Sequence, residues 1–262
     1  MAATPAVGRG EGRSSAARQR IDGASGENTS FYEEDSRSRF SAEQRRAREL
    51  QVFLFVPNII GYVRIALLFA AAIAWQKAST CLFFFCYLTS QCLDAVDGEA
   101  ARRLGQVSVV GACLDQVVDR LSTCLLYILN ASVYPDFASA FFLALFLDVG
   151  GHWVHFFASA VVGAKSHKTM DPEVNPVLAV YYRSRPVMFS AILGFEGFFM
   201  CLLLLSAPLV QSSFSSLHWI LLVIVYATSP LMLFKTLTNL LQGLYGARRL
   251  VACDIFAAAS SS

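Results

Sequence analysis

The sequence predicts an all-α integral membrane protein, with six transmembrane helices preceded by a short interfacial amphipathic helix. Three observations carry that reading. Hydrophobic residues make up 55 % of the 262 and the mean hydropathy is +0.51, too apolar for an ordinary soluble domain. These residues gather into runs long enough to cross a bilayer instead of alternating along strands. Basic residues fall almost entirely on one side of the runs, as cytosolic loops require. The formal net charge of +2 says little as a total. Seven cysteines with no CxxC pair, mostly inside the apolar runs, read as small buried side chains and not as a disulfide framework or zinc site.

Residues 1–40 are rich in Ser, Arg, Ala, Gly and Glu and cannot bury enough surface to fold, so a disordered cytosolic tail is expected. No apolar stretch follows Met1, and no cleaved signal peptide is expected. Glu11, Asp22, Glu27 and the run Glu33-Glu34-Asp35 argue against an organelle transit peptide. The membrane domain is expected over 41–250, with a C-terminal tail at 251–262. Ser41 and Gln44 have capping-box spacing. The helix they would open carries Arg45, Arg46 and Arg48, which suit anionic headgroups.

Pro57-Asn58 opens span one, roughly 58–76, which contains a single charge, Arg64. Span two covers about 79–101 and span three about 106–133. Arg102-Arg103-Leu104-Gly105 joins them, so they should be antiparallel neighbours. Tyr134-Pro135-Asp136 is a turn before span four, about 137–163. A polar loop at 164–185, with turn signals at Asp171-Pro172 and Asn175-Pro176, leads to span five at about 186–207. Span six runs about 217–240. With six spans, both termini and the basic loops share the cytosolic side, and the opposite loops hold only Lys77. The sequon at Asn130 would sit too close to the membrane for glycosylation, and that at Asn28 would be cytosolic and silent.

One stretch organises the rest: Asp94, Asp97, Gly98 and Arg102, followed by Gly111, Asp115 and Asp119. A charge at the bilayer centre costs about 2.5–3.5 kcal/mol, so four carboxylates need a positive partner. Asp94 and Asp97 share one helix face, and Asp115 and Asp119 another. If those faces meet, four oxygen donors could hold one or two Mg²⁺ or Mn²⁺ ions, which also bind substrate phosphates. Glycines at 98 and 111 permit close approach, and Arg102 is placed to meet a phosphate oxygen with its planar fork. The competing reading is that the acids pair with Arg102, Arg103 and Arg64 at a helix interface. Two registered pairs with two glycines favour the metal site.

The pattern Asp-x2-Asp-Gly-x2-Ala-Arg-x8-Gly-x3-Asp-x3-Asp, filled by Asp94, Asp97, Gly98, Ala101, Arg102, Gly111, Asp115 and Asp119, resembles the signature of the CDP-alcohol phosphatidyltransferases. Every fixed position is present. The segments Phe53 to Arg64, Leu147 to His155, Ser166 to Asp171 and Asn175 to Pro186 resemble the inositol-using branch of that family. The resemblance covers about 52–250. It implies a six-helix, homodimeric enzyme of the endoplasmic reticulum membrane with a cytosolic active site. It also implies CDP-diacylglycerol as donor, myo-inositol as acceptor, CMP and phosphatidylinositol as products, and Mg²⁺ or Mn²⁺ as cofactor. Membrane lipids are partners, and nucleic acid is not.

By that resemblance Asp94, Asp97 and Asp115 are metal ligands, and Asp119 is the general base and is counted with the ligands too. Gly98, Arg102 and Gly111 would contact CDP-diacylglycerol. Lys165, Lys168, Arg183 and Arg185 in the basic loop are nominated for the inositol or headgroup, against a second reading as ordinary membrane anchors. Asp148 and His152 within span four are either a structural pair or part of the inositol site. Glu196 and Lys235 are two further intramembrane charges without an assigned partner. Two alternatives stay open: a sibling transferase using glycerol 3-phosphate or serine, and a divalent-cation transporter. Transporter sites usually lie at mid-membrane on broken helices, whereas these acids lie at a helix end.

Overall fold

In the computed structural model, residues 42–161, 175–213 and 215–260 are described, all helices and turns with no strand among them. The tail, the Ser41 cap, the Asn28 sequon, Lys165 and Lys168 lie outside the described residues. Helix α1, Ala42–Phe53, has Glu43 in its first turn, and its N-terminal location suits that charge. The compact unit begins at Val56. It comprises α2 (Val56–Gln76), α3 (Thr80–Arg103), α4 (Val109–Val133), a short 3₁₀ turn at Pro135–Phe137, α5 (Ala138–Leu145), a wide π turn at Phe146–Gly150 and α6 (Gly151–Val161). Beyond residue 174 come α7 (Pro176–Arg183), α8 (Arg185–Leu205), α9 (Pro208–Ser213) and α10 (Ser215–Ser260).

Four runs are long and apolar enough to cross a membrane: Val56–Gln76, Pro135–Val161, Arg185–Leu205 and Ser216–Ile255. The chain is a multi-pass membrane protein. Helices α3 and α4 match the others in length at 24 and 25 residues, but their acids and arginines lower their apolar content. Large apolar side chains such as Phe69, Phe85, Phe142, Leu193 and Val223 are exposed, as a lipid-facing surface requires.

Helix α2 buries one stripe, Asn58, Gly61, Arg64, Leu68, Ala71 and Ala74, at three- and four-residue spacing. With this stripe it packs along α3 and also along α4. The acid-bearing helices α3 and α4 therefore meet chiefly through α2 and less through each other, which refines the expectation of direct neighbours. Crowding two acidic faces without a cation between them would be repulsive, and α2 supplies that cation. At the far end, α4 packs on α5 and α8 through a cluster of rings: the centroids of Tyr127 and Phe199 are 4.9 Å apart and those of Phe195 and Phe199 5.1 Å. Asn130 is fully buried there, its amide donating to the Leu126 and Phe199 carbonyls at 2.9 and 3.0 Å, so that sequon is closed to glycosylation.

Helix α10 runs on past residue 240, where span six was expected to end, and packs along α8 and α6. The crossing with α6 is made backbone to backbone. A Cβ at Gly151 would stand 2.3 Å from the Asn239 carbonyl oxygen, and one at Gly246 2.8 Å from the His155 Cα. Small residues are how membrane helices approach this closely. The π turn before α6 buries Asp148 completely, and such turns recur where a helix must carry a functional side chain.

Gly151→Ala should therefore force α6 from α10 and cost about 1–3 kcal/mol, read as a lowered unfolding midpoint in detergent. Gly197, whose added Cβ would meet nothing within 4 Å, should tolerate alanine with an unchanged or slightly raised midpoint.

Candidate active site

Two helix ends and one helix middle make the site. The last three turns of α3 carry Asp94, Asp97 and Gly98. The helix then closes with Gly105 at φ +63°, the Gln106 N–H donating to the Ala101 carbonyl at 2.9 Å and the Gly105 N–H to the Arg102 carbonyl at 3.4 Å. This is a Schellman ending, and the left-handed backbone it needs favours glycine. The Gln106 side chain accepts from the Val56 N–H at 2.9 Å, tying the turn to the start of α2. Ser108 caps α4, its Oγ accepting from the Gly111 N–H at 2.9 Å. Asp115 and Asp119 follow on the same helix.

All four carboxylates converge on Arg64, whose side chain is fully buried. Its Nη1 donates to Asp97 at 2.9 Å and Asp115 at 3.3 Å; its Nη2 reaches Asp119 at 3.0 Å and Asp94 at 2.7 Å. The Ser90 hydroxyl donates to the Arg64 carbonyl at 3.3 Å, pinning α3 to α2 at that level. Asp97 is the innermost acid, 10 % exposed, while Asp94, Asp115 and Asp119 are 36–46 % exposed and open toward solvent. Beside them lies a cleft of about 230 Å³ lined by Asn58, Asp97, Gly98, Arg102, Gly111 and Asp115, among others. Glycine is required at its wall, because a Cβ at Gly111 would stand 2.8 Å from the Asn58 Oδ1.

One guanidinium cannot neutralise four ionised carboxylates, and the deficit suits a divalent cation. Oxygens of Asp94, Asp97 and Asp115 all lie within 4.8 Å of one another, and an ion with bonds of about 2.1 Å spans about 4.2 Å, so side-chain closure of about a few tenths of an ångström would bring them onto it. The donor set is carboxylate only, which favours hard Mg²⁺ or Mn²⁺ over zinc. The residues present fit the metal.

A second polar centre lies deeper. Asp148 accepts from Arg120 at 2.5 Å, from the Thr123 hydroxyl at 3.0 Å and from the Asn239 amide at 2.9 Å. The His152 Nδ1 is 3.1 Å from the Asp148 carbonyl and 3.4 Å from Arg120. Lys235 donates to Asn239 and lies 5.6 Å over the Tyr181 ring. The pairing of Asp148 with His152 thus belongs to a six-residue network, with Arg120, Thr123, Asn239 and Lys235, whose main cation is Arg120. Glu196 and Lys235 make no ion pair among the described residues: Glu196 accepts from Gln91 at 2.8 Å.

The structure gathers Asp94, Asp97, Asp115, Asp119, Gly98 and Gly111 at one site. Arg102 stands on the cleft rim, exposed, and donates to Glu99 at 2.9 Å; Arg103 joins the same carboxylate. Arg183 and Arg185 flank the break between α7 and α8 and are exposed. Sequence reasoning gave Arg64 only to the interface alternative, although a lone charge in an apolar span is itself a functional signal. It also passed over Arg120, Gln106 and Asn58. Of these, Arg120 carried the same signal as Arg64.

A profile of the CDP-alcohol phosphatidyltransferase family matches residues 54–230. Several curated proteins are similar over most of the chain. A Rattus norvegicus protein named CDP-diacylglycerol–inositol 3-phosphatidyltransferase is 41 % identical over 214 residues, 79 % of this chain and 95 % of its own. Those of the same name from Homo sapiens and Drosophila melanogaster are 40 % identical over 211 residues (78 % and 94 %) and 38 % identical over 209 (78 % and 88 %). No solved structure matches the chain.

Arg64→Met should destabilise the protein by on the order of 3 kcal/mol, the low end for a broken buried pair because three of its partners are half exposed. Combined with Asp97→Asn the loss should be clearly less than the sum of the two single losses. Additive unfolding midpoints in detergent would show that the guanidinium does not hold the cluster.

Proposed function

The chain belongs to the CDP-alcohol phosphatidyltransferase family, and from that premise we propose that it transfers the phosphatidyl group of CDP-diacylglycerol to myo-inositol, releasing CMP and forming phosphatidylinositol. The observation that carries the reaction class is the convergence of four carboxylates on Arg64 beside a glycine-walled cleft. The inositol acceptor rests on the printed names of the relatives.

Asp94, Asp97, Asp115 and Asp119 would hold Mg²⁺ or Mn²⁺, which when bound supplies charge neutralisation at the diphosphate and at the departing CMP. The chain's own residues do the rest. Arg64 keeps four mutually repelling carboxylates in one place, so that they need no reorganisation when substrate arrives. Gly98 and Gly111 let the nucleotide approach the helix backbones. Arg102 swings from Glu99, an exposed and therefore weak pair, to a phosphate oxygen. Asp119 takes the proton of an inositol hydroxyl. The freed oxygen forms a bond to the phosphorus that bears diacylglycerol, and the bond from that phosphorus to CMP breaks, its electron pair leaving with CMP.

The site belongs on the cytosolic face of the endoplasmic reticulum membrane, a reading supported by the basic residues at 102, 103, 183, 185, 248 and 249. In the six-span reading α3 and α4 cross with the four apolar runs, α1 lies at the interface, and the acyl chains of the donor enter sideways from the bilayer. A homodimer follows the family pattern. Arg183 and Arg185 are proposed for the headgroup, together with Lys165 and Lys168.

Membranes given CDP-diacylglycerol with labelled inositol, serine or glycerol 3-phosphate should release CMP with inositol; release with only one of the other two would replace the acceptor. Asp119→Asn should lose about 10²–10⁴-fold in rate while binding of the nucleotide lipid survives, and near-normal turnover would remove Asp119 as base. Chelation should abolish turnover, with Mg²⁺ or Mn²⁺ restoring it.

A further inference from the structure

Beyond Asp119, and outside the cleft lining, α3, α4, α6 and α8 leave a group of polar side chains that the phosphoryl chemistry does not use. We infer that they form the recess for the acceptor alcohol, and that Glu196, with Gln91 and Tyr127, selects a neutral polyol over an anionic alcohol. The inference rests on the inositol reading and names the residues that would enforce it.

Glu196 lies within the bundle, and the Gln91 amide is its hydrogen-bond partner at 2.8 Å; no cation pairs with it among the described residues. The same Gln91 nitrogen donates to the Tyr87 hydroxyl at 2.9 Å, and Gln91 stands about one turn before Asp94 on α3, so the group lies next to the acid cluster along that helix. The Tyr127 hydroxyl is buried, 2 % of the residue being exposed, and has no hydrogen-bond partner among the described residues; its ring packs on that of Phe195, the residue before Glu196, with centroids 6.1 Å apart. On the opposite wall the side chains of Arg120 and His152 are 24 % and 20 % exposed, while Asp148 behind them is sealed.

An unpartnered buried hydroxyl and a carboxylate held by one neutral amide are both costly. A ligand that donates and accepts at many points relieves both, and a polyol ring does so at every hydroxyl. A phosphate or carboxylate on the alcohol would instead bring like charge to Glu196 in a poorly screened interior. Rejection by leaving buried groups unpaired or repelled is the stronger form of discrimination.

The test uses the full-length enzyme in proteoliposomes at saturating CDP-diacylglycerol, with inositol varied. Glu196→Gln should raise the KM for inositol about tenfold or more, leave kcat within a few-fold and leave the KM for CDP-diacylglycerol unchanged. Tyr127→Phe, which removes an oxygen that no protein group bonds and so leaves the unfolding midpoint in place, should raise the inositol KM several-fold. If Glu196→Gln does not fold, Tyr127→Phe decides alone. An inositol KM untouched in the folded variants, or a fall confined to kcat, overturns the recess. An unaltered enzyme that releases no CMP with inositol overturns the inositol reading, and the recess with it.

Discussion

Everything at the site depends on one electrostatic constraint: four carboxylates in a membrane-embedded bundle are held by a single buried guanidinium. Arg64 touches all four, two through each terminal nitrogen. An ammonium could not do this, because it is a point charge, whereas the planar fork presents donors in two directions at once. The arrangement is deliberately incomplete in charge. The arginine fixes the geometry but leaves anionic character over, and that remainder suits a divalent metal. Holding the acids entirely by protein cations would give a more stable helix interface without chemistry.

Helix α4 serves two centres. Asp119 faces Arg64, and the next residue, Arg120, faces Asp148. A helix turns about 100° per residue, so consecutive charges address different neighbours, and the two networks share a backbone without sharing charges. The first is half open and meets the cleft beside Gly98 and Gly111. The second is closed at Asp148 and open at Arg120 and His152. Helix α4 also packs on α5 and α8 through the rings around Phe199, which fixes the helix that carries both centres.

Much of this was legible in the sequence. Helix ends fell within a few residues of expectation over the first five runs, since apolar length and Pro or Gly punctuation report them directly. The Asp94–Asp119 spacing gave the acid cluster, because helical periodicity puts each pair on one face. What stayed illegible were long-range partners. Nothing local says that Arg64 answers all four acids, that Asn239 serves Asp148 across 91 residues, or that Glu196 takes Gln91 and leaves Lys235 to Asn239. The π turn at Phe146–Gly150 was hidden for the same reason: its extra residue shifts the phase of α6 to suit α10, and only packing decides that. Arg102 was placed by its motif, and the structure adds the competing hold of Glu99.

The order in which the chain is made gives Arg64 a further meaning. Helix α2 leaves the ribosome first and presents its guanidinium to lipid with none of its partners yet synthesised. Asp97 follows 33 residues later and Asp119 55 later. A lone arginine at mid-helix costs about 2.5–3.5 kcal/mol to insert. Pairing with acids that are made later offsets that cost for the arginine, while the four carboxylates together still leave negative charge over. The same arginine that gathers the acids is therefore the charge that the first apolar run must shelter when it meets the membrane, and its later partners decide how well it is sheltered.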